Sequence, residues 1–321
     1  MFKKKTNKQL YTVAFYNLEN LFDTHNNNHT LDDDFTPSGF KEWTPKRYSN
    51  KLNKLARTIF EIGKDLNQHA PVLVGVAEVE NNKVLKDLLN TKPLQNVDYG
   101  FVHYESPDER GIDTALLYRK KYFEVLETAP LLLMIDNIDG VRDTTRDILY
   151  VHGKLNKEEV HLFVNHWPSR RDGNDITEYK RVKAAEVVKR KMEEIELLDQ
   201  NPNYIVMGDF NDDPKSLSIQ TLMEDTSLFN PMEKLHLPKE RGSSNYKKSW
   251  SLFDQIILSH SFFNYQKGTH SFSKANIFDD KSLKENKGKY KGSPFRTYVG
   301  KKYLGGYSDH FPVYILLKYN K

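Results

Sequence analysis

Short apolar runs that each stop at a carboxylate, an amide or an imidazole limit what this chain can fold into. The clearest is Tyr204-Ile205-Val206-Met207, closed by Gly208-Asp209-Phe210-Asn211-Asp212-Asp213-Pro214. Four apolar or aromatic residues read as a short buried strand, and Gly208 and Pro214 bracket a tight loop at its end. Asp209 and Asn211 lie two apart, so on extended backbone both side chains leave from one face while Phe210 points the other way. The acid accepts protons or positions water, and the amide hydrogen-bonds an oxyanion without adding negative charge. The structural alternative is an Asx-rich turn closing a strand.

The pattern recurs along the chain. Residues 11–16 form a β-rich run that stops at Asn17-Leu18-Glu19, again with polar residues two apart. Pro71-Val72-Leu73-Val74-Gly75-Val76-Ala77 runs into Glu78, and an ionised carboxylate beside buried residues needs a partner. A strand over 160–164 delivers Asn165-His166, followed by Arg170 and Arg171 as candidate anion clamps. The strand in 250–259 carries one acid, Asp254, inside its apolar run. Tyr307-Ser308-Asp309-His310-Phe311-Pro312 leads into a last strand over 313–317, after two glycines.

Between these runs, the apolar spacing of Leu52, Leu55, Ile59 and Ile62 predicts a helix over 47–66. Further helices are expected over 84–89, 176–198 and 216–223, the third with a solvated Glu/Lys face. Strands are expected over 99–104, 113–118 and 147–155, with 122–126 as the hairpin partner of 113–118. Residues 23–46, 235–249 and 268–306 read as long loops, and loops of such length tend to be functional or mobile. Asp32–Asp34 reads as part of a solvated loop or as a second cation site.

The 321 residues suffice for one large α/β domain or two small ones, and no linker composition or solenoid repeat divides them. The reading is one domain over 1–321, with 1–9 expected to be disordered. A net charge of +4 neither identifies a nucleic-acid binder nor repels a polyanion. Mean hydropathy of −0.71 and no run of about 18 apolar residues argue against an integral membrane segment. Met1-Phe2-Lys3-Lys4-Lys5 resembles the start of a signal peptide, but polar residues follow where an apolar core belongs. A cytoplasmic location is therefore expected, with secretion or a periplasmic location as the alternative. Zero cysteines exclude disulfides, thiolate chemistry and Cys-ligated metals.

Asn17, Glu19, Glu78, His166, Asp209, Asn211, Asp254, Asp309 and His310 thus all fall at or near ends of expected strands, where a rigid scaffold can bring distant segments together. Hard carboxylate and amide oxygens suit Mg²⁺, Mn²⁺ or Ca²⁺ better than zinc. Histidines beside such a metal fit attack of water on phosphorus.

The order and spelling of these motifs, from Phe15-Tyr16-Asn17 through Gly208-Asp209-Phe210-Asn211 to Ser308-Asp309-His310, resemble the endonuclease/exonuclease/phosphatase superfamily with its DNase-I-like fold. Arg110-Gly111-Ile112-Asp113-Thr114-Ala115-Leu116-Leu117-Tyr118 and Gly305-Gly306-Tyr307 look like a bacterial branch of it. The resemblance implies a four-layer α/β/β/α sandwich, two packed β-sheets flanked by helices. It also implies divalent-metal-dependent cleavage of phosphoester bonds. Carried over by position, Glu78 is the principal metal ligand with Asn17, Glu19 and Asp309 near it. His310 would pair with Asp254, binding the scissile phosphate or activating water. Asp209 and Asn211 would orient the nucleophile and stabilise the transition state, and His166 would be the acid for the leaving oxygen. Glu105, or Glu109, would orient His166. Arg110, Arg170 and Arg171 are candidate phosphate contacts. The presence of His166 argues against an abasic-site repair enzyme. The expected activity is a nuclease on DNA or RNA, with the Lys- and Tyr-rich 281–302 segment along a strand through Tyr290, Tyr298 and Tyr303. The alternatives are a phosphatase or phosphodiesterase on a small phosphate ester or lipid head group, and a non-catalytic binding protein. A monomer without a protein partner is expected.

Overall fold

The computed structural model describes residues 9–137 and 140–321. The expectation for 1–9 falls, but for Gln9, outside them. Two six-stranded sheets carry the fold. In the first, β1 (Leu10–Leu21) and β2 (Leu73–Val79) run parallel at the centre. β4 (Asp113–Arg119) and β3 (Tyr99–His103) extend it on one side, and β12 (Val313–Tyr319) and β11 (His270–Ile277) on the other, all antiparallel to their neighbours. The second sheet repeats the plan. Its central parallel pair is β7 (Glu158–His166) and β8 (Tyr204–Asp209). β6 (Ile148–Leu155) and β5 (Phe123–Leu131) flank one side, and β10 (Asp254–Ser259) and the short β9 (Leu228–Phe229) the other.

Period-two alternation sorts the side chains into layers. Val13 and Phe15 of β1, Leu162 and Val164 of β7, and Ile205 and Met207 of β8 point between the sheets and form the central core. Ala14, Tyr16, Val74 and Val76 point outward under α1 (Pro45–Glu61) and α2 (Asn82–Leu89). Phe163, Tyr204, Val206 and Ile257 point outward on the other side, under α3 (Asn174–Glu196) and α4 (Leu217–Met223). The order is helix, sheet, sheet, helix, as the four-layer expectation had it. Leu52, Leu55 and Ile59 form the buried stripe of α1, so truncating Leu55 to Ala costs about 2–5 kcal/mol.

Several expectations fail here. The strand expected over 250–259 begins only at Asp254. Ser249–Ser251 instead forms a hairpin with Ser244–Tyr246, inside the expected 235–249 loop. Residues 123–131 are no hairpin partner of β4: they join the second sheet beside β6. The turn between them is tied instead to Asp98, which accepts from Arg119 Nε and Lys121 N at 2.8 Å each. The 268–306 stretch is not one loop, because its first part is edge strand β11, with a register shift between Phe272 and Lys274. Ser273 and Lys274 are exposed at that shift, so the apolar alternation of an inner strand is absent there.

Each parallel pair is joined through a crossover, β1–α1–β2 and β7–α3–β8, so the carboxyl ends of all four central strands gather at one edge. Asp254 and His310 reach the same edge from the amino ends of the antiparallel strands β10 and β12.

Candidate active site

The backbone departs from regular pairing at this edge. The β1–β2 register shifts between Asn17 and Leu21, and the β2–β4 register between Ala77 and Val79. Glu19, Glu78 and Asn211 take φ of 50°, 61° and 49°, a left-handed conformation that side chains other than Gly, Asn and Asp rarely adopt. A bulge re-aims the side chain it carries, and strain of this kind gathers at functional sites. In the second sheet Gly208 lets β8 close on β7, since a Cβ there would lie 2.4 Å from the Asn165 carbonyl oxygen. That contact sets Asp209 directly beside His166 in register.

The result is an open cleft of about 800 Å³ whose floor includes Glu78, His166, Asp209, Asn211, Asp309 and His310. Asn17 lies beneath it and donates its amide to Asp209 Oδ2 at 3.0 Å and Glu78 Oε1 at 3.3 Å. Its own oxygen accepts the Glu19 N–H at 2.9 Å, and its amide nitrogen holds the two carboxylates together. Asn20 N–H holds the other Glu78 oxygen at 2.8 Å.

The two histidines differ. His310 Nδ1 meets the fully buried Asp254 at 2.6 Å, while its Nε2 points at Asp209 Oδ2, 3.8 Å away. Burial works against its charge, yet the Asp254 and Asp209 carboxylates outweigh burial and lift His310 well above its ordinary value. His166 Nε2 lies 3.8 Å from Glu78 Oε1 and 3.9 Å from Asp209 Oδ2. Its buried Nδ1 makes no hydrogen bond. Burial, then the Arg146 and Arg110 charges and that of His310, push it well below its ordinary value. Burial also raises Asp209 to about 6, with His310 opposing the rise. Asn211 donates its side-chain amide to Trp167 O and its backbone N–H to Asp209 Oδ1, both at 2.9 Å.

Several expected residues sit otherwise. Glu19 does not line the cleft: its carboxylate accepts Thr297 N–H at 2.6 Å and faces Lys51 Nζ at 3.7 Å. Burial, then Asp309, raises it to about 7, while Lys51 opposes the rise. Glu105 is exposed and away from the cleft, and Glu109 lines it without bonding His166, so neither orients that ring. Arg170 lines the cleft, but its guanidinium is spent inward on Asn211 O at 2.6 Å, on Asp212 and on Ser216. It braces the Asp209–Asn211 loop. Arg110 and Arg171 do line the cleft, Arg171 with no ion pair or hydrogen bond to its guanidinium among the described residues. Asp32 is buried and accepts from Asn27 N and Thr30 Oγ1, so it organises its own loop, while Asp33 and Asp34 stay outside.

Sequence reasoning missed Arg146, which lines the cleft, donates to Asp108 at 2.9 Å and to Trp167 O at 3.1 Å, and charges the neighbourhood of His166. It also missed Lys180 on the cleft wall, Arg296 at 3.1 Å from Asp309, and buried Lys51. Lys51 carried a signal: it falls on the Tyr48–Leu52–Leu55 face of α1, and a lysine on a buried stripe needs a carboxylate.

The donor set fits a divalent cation. Two carboxylates converging on one amide nitrogen repel each other, and a hard cation relieves that repulsion with the oxygen ligands it prefers. Among the described residues, candidate ligand atoms of Asp209, Asp254 and His310 lie within 4.8 Å of one another. Asp254 is already committed to His310, which leaves Glu78 and Asp209, with Asp309 on the same floor, as the oxygens available.

A model of the Endonuclease/Exonuclease/phosphatase family matches residues 12–319. The chain belongs to that family. Among solved structures it is similar to an endonuclease/exonuclease/phosphatase family protein from Bacteroides thetaiotaomicron, at 21% identity and TM-score 0.60, covering 97% of this chain and 95% of that one. It is also similar to a mannosyl-6-phosphatase of B. thetaiotaomicron VPI-5482, at 20% identity and TM-score 0.60, covering 96% and 100%. A third similarity is to humanized D. rerio TDP2, at 17% identity and TM-score 0.58, covering 97% and 99%. A search of curated protein sequences returns no match. Identities this low establish the shared fold. The family is one of phosphoester hydrolases, and no helix among the described residues is long and apolar enough to cross a membrane.

Proposed function

We propose that this chain hydrolyses phosphodiester bonds of a nucleic acid with the help of a divalent cation. The observation that carries the reading is the His310–Asp254 pair, with its free ring nitrogen turned to Asp209 and the cleft, across from Glu78 and His166. Glu78, Asp209 and Asp309 would hold the cation, which supplies charge to offset that of the phosphoryl oxygens. Every other task falls to the chain. Protonated His310, kept charged by Asp254, donates from Nε2 to a phosphoryl or departing oxygen. Asp209, beside the Nε2 of His310, is placed to orient the attacking water. Asn211 keeps one amide hydrogen for an oxyanion. His166 has the environment of a proton acceptor at rest, so the acid role expected for it requires the arriving phosphate to change its charge. Arg110, Arg146 and Arg171 on the wall favour the anionic substrate.

The printed activity of the mannosyl-6-phosphatase keeps a small sugar phosphate as the competing substrate. Purified protein with Mg²⁺ or Mn²⁺ is assayed on supercoiled DNA, single-stranded DNA, RNA, inositol phosphates, a hexose 6-phosphate and sphingomyelin across a salt series. Polynucleotide cleavage that falls steeply with salt is the expected result, since each phosphate contact releases counterions. Turnover confined to small esters, flat with salt, would overturn it.

A further inference from the structure

Beside the cleft lies a second chamber of about 330 Å³, to which no role has yet been assigned. Asp309 and Tyr246 line both, so the chamber opens onto the reaction floor. One wall is the hairpin of Ser244–Tyr246 and Ser249–Ser251, whose turn residues Lys247 and Lys248 take positive φ of 50° and 70°. Its base is bridged to His310 through Ser244 and receives the Phe311 N–H on Ser243 O at 2.7 Å. The other wall is the 285–294 segment, closed on itself by Glu285 N to Ser293 O and Gly292 N to Glu285 O, both 2.9 Å. Ser293 Oγ joins the walls by donating to Asn245 Oδ1 at 3.2 Å.

The chemistry of the lining is specific. Tyr246 is 73% exposed and Tyr290 49%, and neither ring touches another aromatic ring among the described residues. Lys247 sits 5.1 Å from the Tyr246 ring centre and Lys289 5.5 Å from that of Tyr290, and neither ammonium is paired with a carboxylate among the described residues. Val299, Leu304 and Pro294 complete an apolar backing. Two solvent-exposed aromatic rings, each with a lysine ammonium beside it, suit a flat aromatic group carried on a polyanion, since bases stack on such rings while the cations follow the backbone. The volume lies at the lower end of the roughly 300–1,000 Å³ of ligand pockets, room for one such group. Tyr298 and Tyr303, expected to stack as well, are not available: Tyr298 is buried against Trp43, and Tyr303 is covered by Arg47 at 4.6 Å.

We propose that this chamber binds one unpaired nucleobase of a single-stranded polynucleotide whose adjoining phosphate lies in the cleft. The proposal rests on the phosphodiesterase reading above and adds a preference for unstacked strands. The test is equilibrium binding in EDTA of labelled single-stranded oligothymidylate, of an abasic backbone of equal length and of duplex DNA. The wild-type protein should bind the single strand about 10- to 100-fold tighter than the abasic backbone. Tyr290→Ala and Tyr246→Ala should lose most of that ratio, and Tyr290→Phe should keep it because the ring remains. Equal affinity of the wild-type protein for strand and abasic backbone, or alanine variants matching it, overturns the proposal. Turnover of an aliphatic phosphodiester with Mg²⁺ separates the two failures: if it persists while the base preference is absent, the chamber assignment falls and the phosphodiesterase reading stands.

Discussion

Both ends of the two-sheet sandwich hold a histidine against a carboxylate, His270 buried and His310 half-buried on the floor of the cleft. At the far end His270 Nδ1 meets Glu158 Oε2 at 2.5 Å, its Nε2 meets the Asn156 amide at 3.0 Å, and its ring packs on Tyr11 and Tyr319. Every polar atom of that imidazole is used. At the near end His310 is held by Asp254 in the same manner, but its second nitrogen is left toward Asp209 and the open floor. An acid–imidazole pair is therefore a structural staple or a chemical device according to what its outer nitrogen meets. The far end spends its hydrogen bonds on stability. The near end withholds them, with the His166 Nδ1 and Asp254 Oδ1 atoms buried and unbonded as well.

The comparison can be broken by changing one end at a time. Asp254→Asn should lower turnover by about 10²–10⁴-fold, the usual worth of positioned acid–base catalysis, and leave the thermal unfolding midpoint close to wild type. Steady-state rates beside a melting curve check it. His270→Ala should do the opposite: Glu158 loses the imidazole and keeps only the backbone N–H of residue 270, so unfolding in denaturant should show a loss of about 3 kcal/mol with turnover per folded molecule unchanged. A third test concerns pH. His161, on β7 between the two ends and bonded to Tyr150 at 2.8 Å, is lowered to about 4, first by burial and then by His152. The unfolded chain binds a proton there near 6.5 while the folded one does not, so stability is intact above 6.5 and falls as pH drops toward 4. The drop should be about 1–2 kcal/mol, discounted from the full shift for partial solvent screening, and His161→Gln should flatten it in urea titrations at pH 4.5 and 7. The smallest effect is Arg171→Ala, which should raise KM for a polynucleotide about 3- to 10-fold, reduce its salt slope by about one and leave kcat alone.

Most of the near end was legible because its residues end, interrupt or lead into apolar runs, a pattern that survives without knowledge of which strands pair. Asn17, Glu78, His166, Asp209, Asn211, Asp254, Asp309 and His310 were found that way, and the structure gathers all eight at one edge. Residues whose position depends on crossing from one layer to another were not legible. Arg146 precedes a strand in a charged stretch with nothing local to separate it from Arg142, which pairs outside the cleft with Asp136 at 2.8 Å. The 119–122 turn reads as a hairpin because local turn chemistry does not encode which sheet receives the next strand. The place of Glu19 off the cleft was hidden for the same reason: the partner that holds it, Thr297, is 278 residues away.

The most direct measurement is phosphodiester hydrolysis by wild-type, His310→Ala and His270→Ala proteins, each with Mg²⁺ or Mn²⁺ and again with EDTA. The account predicts metal-dependent turnover in wild type and His270→Ala, and a loss of about 1,000-fold in a folded His310→Ala protein. Undiminished turnover in His310→Ala, or turnover indifferent to EDTA, would contradict it.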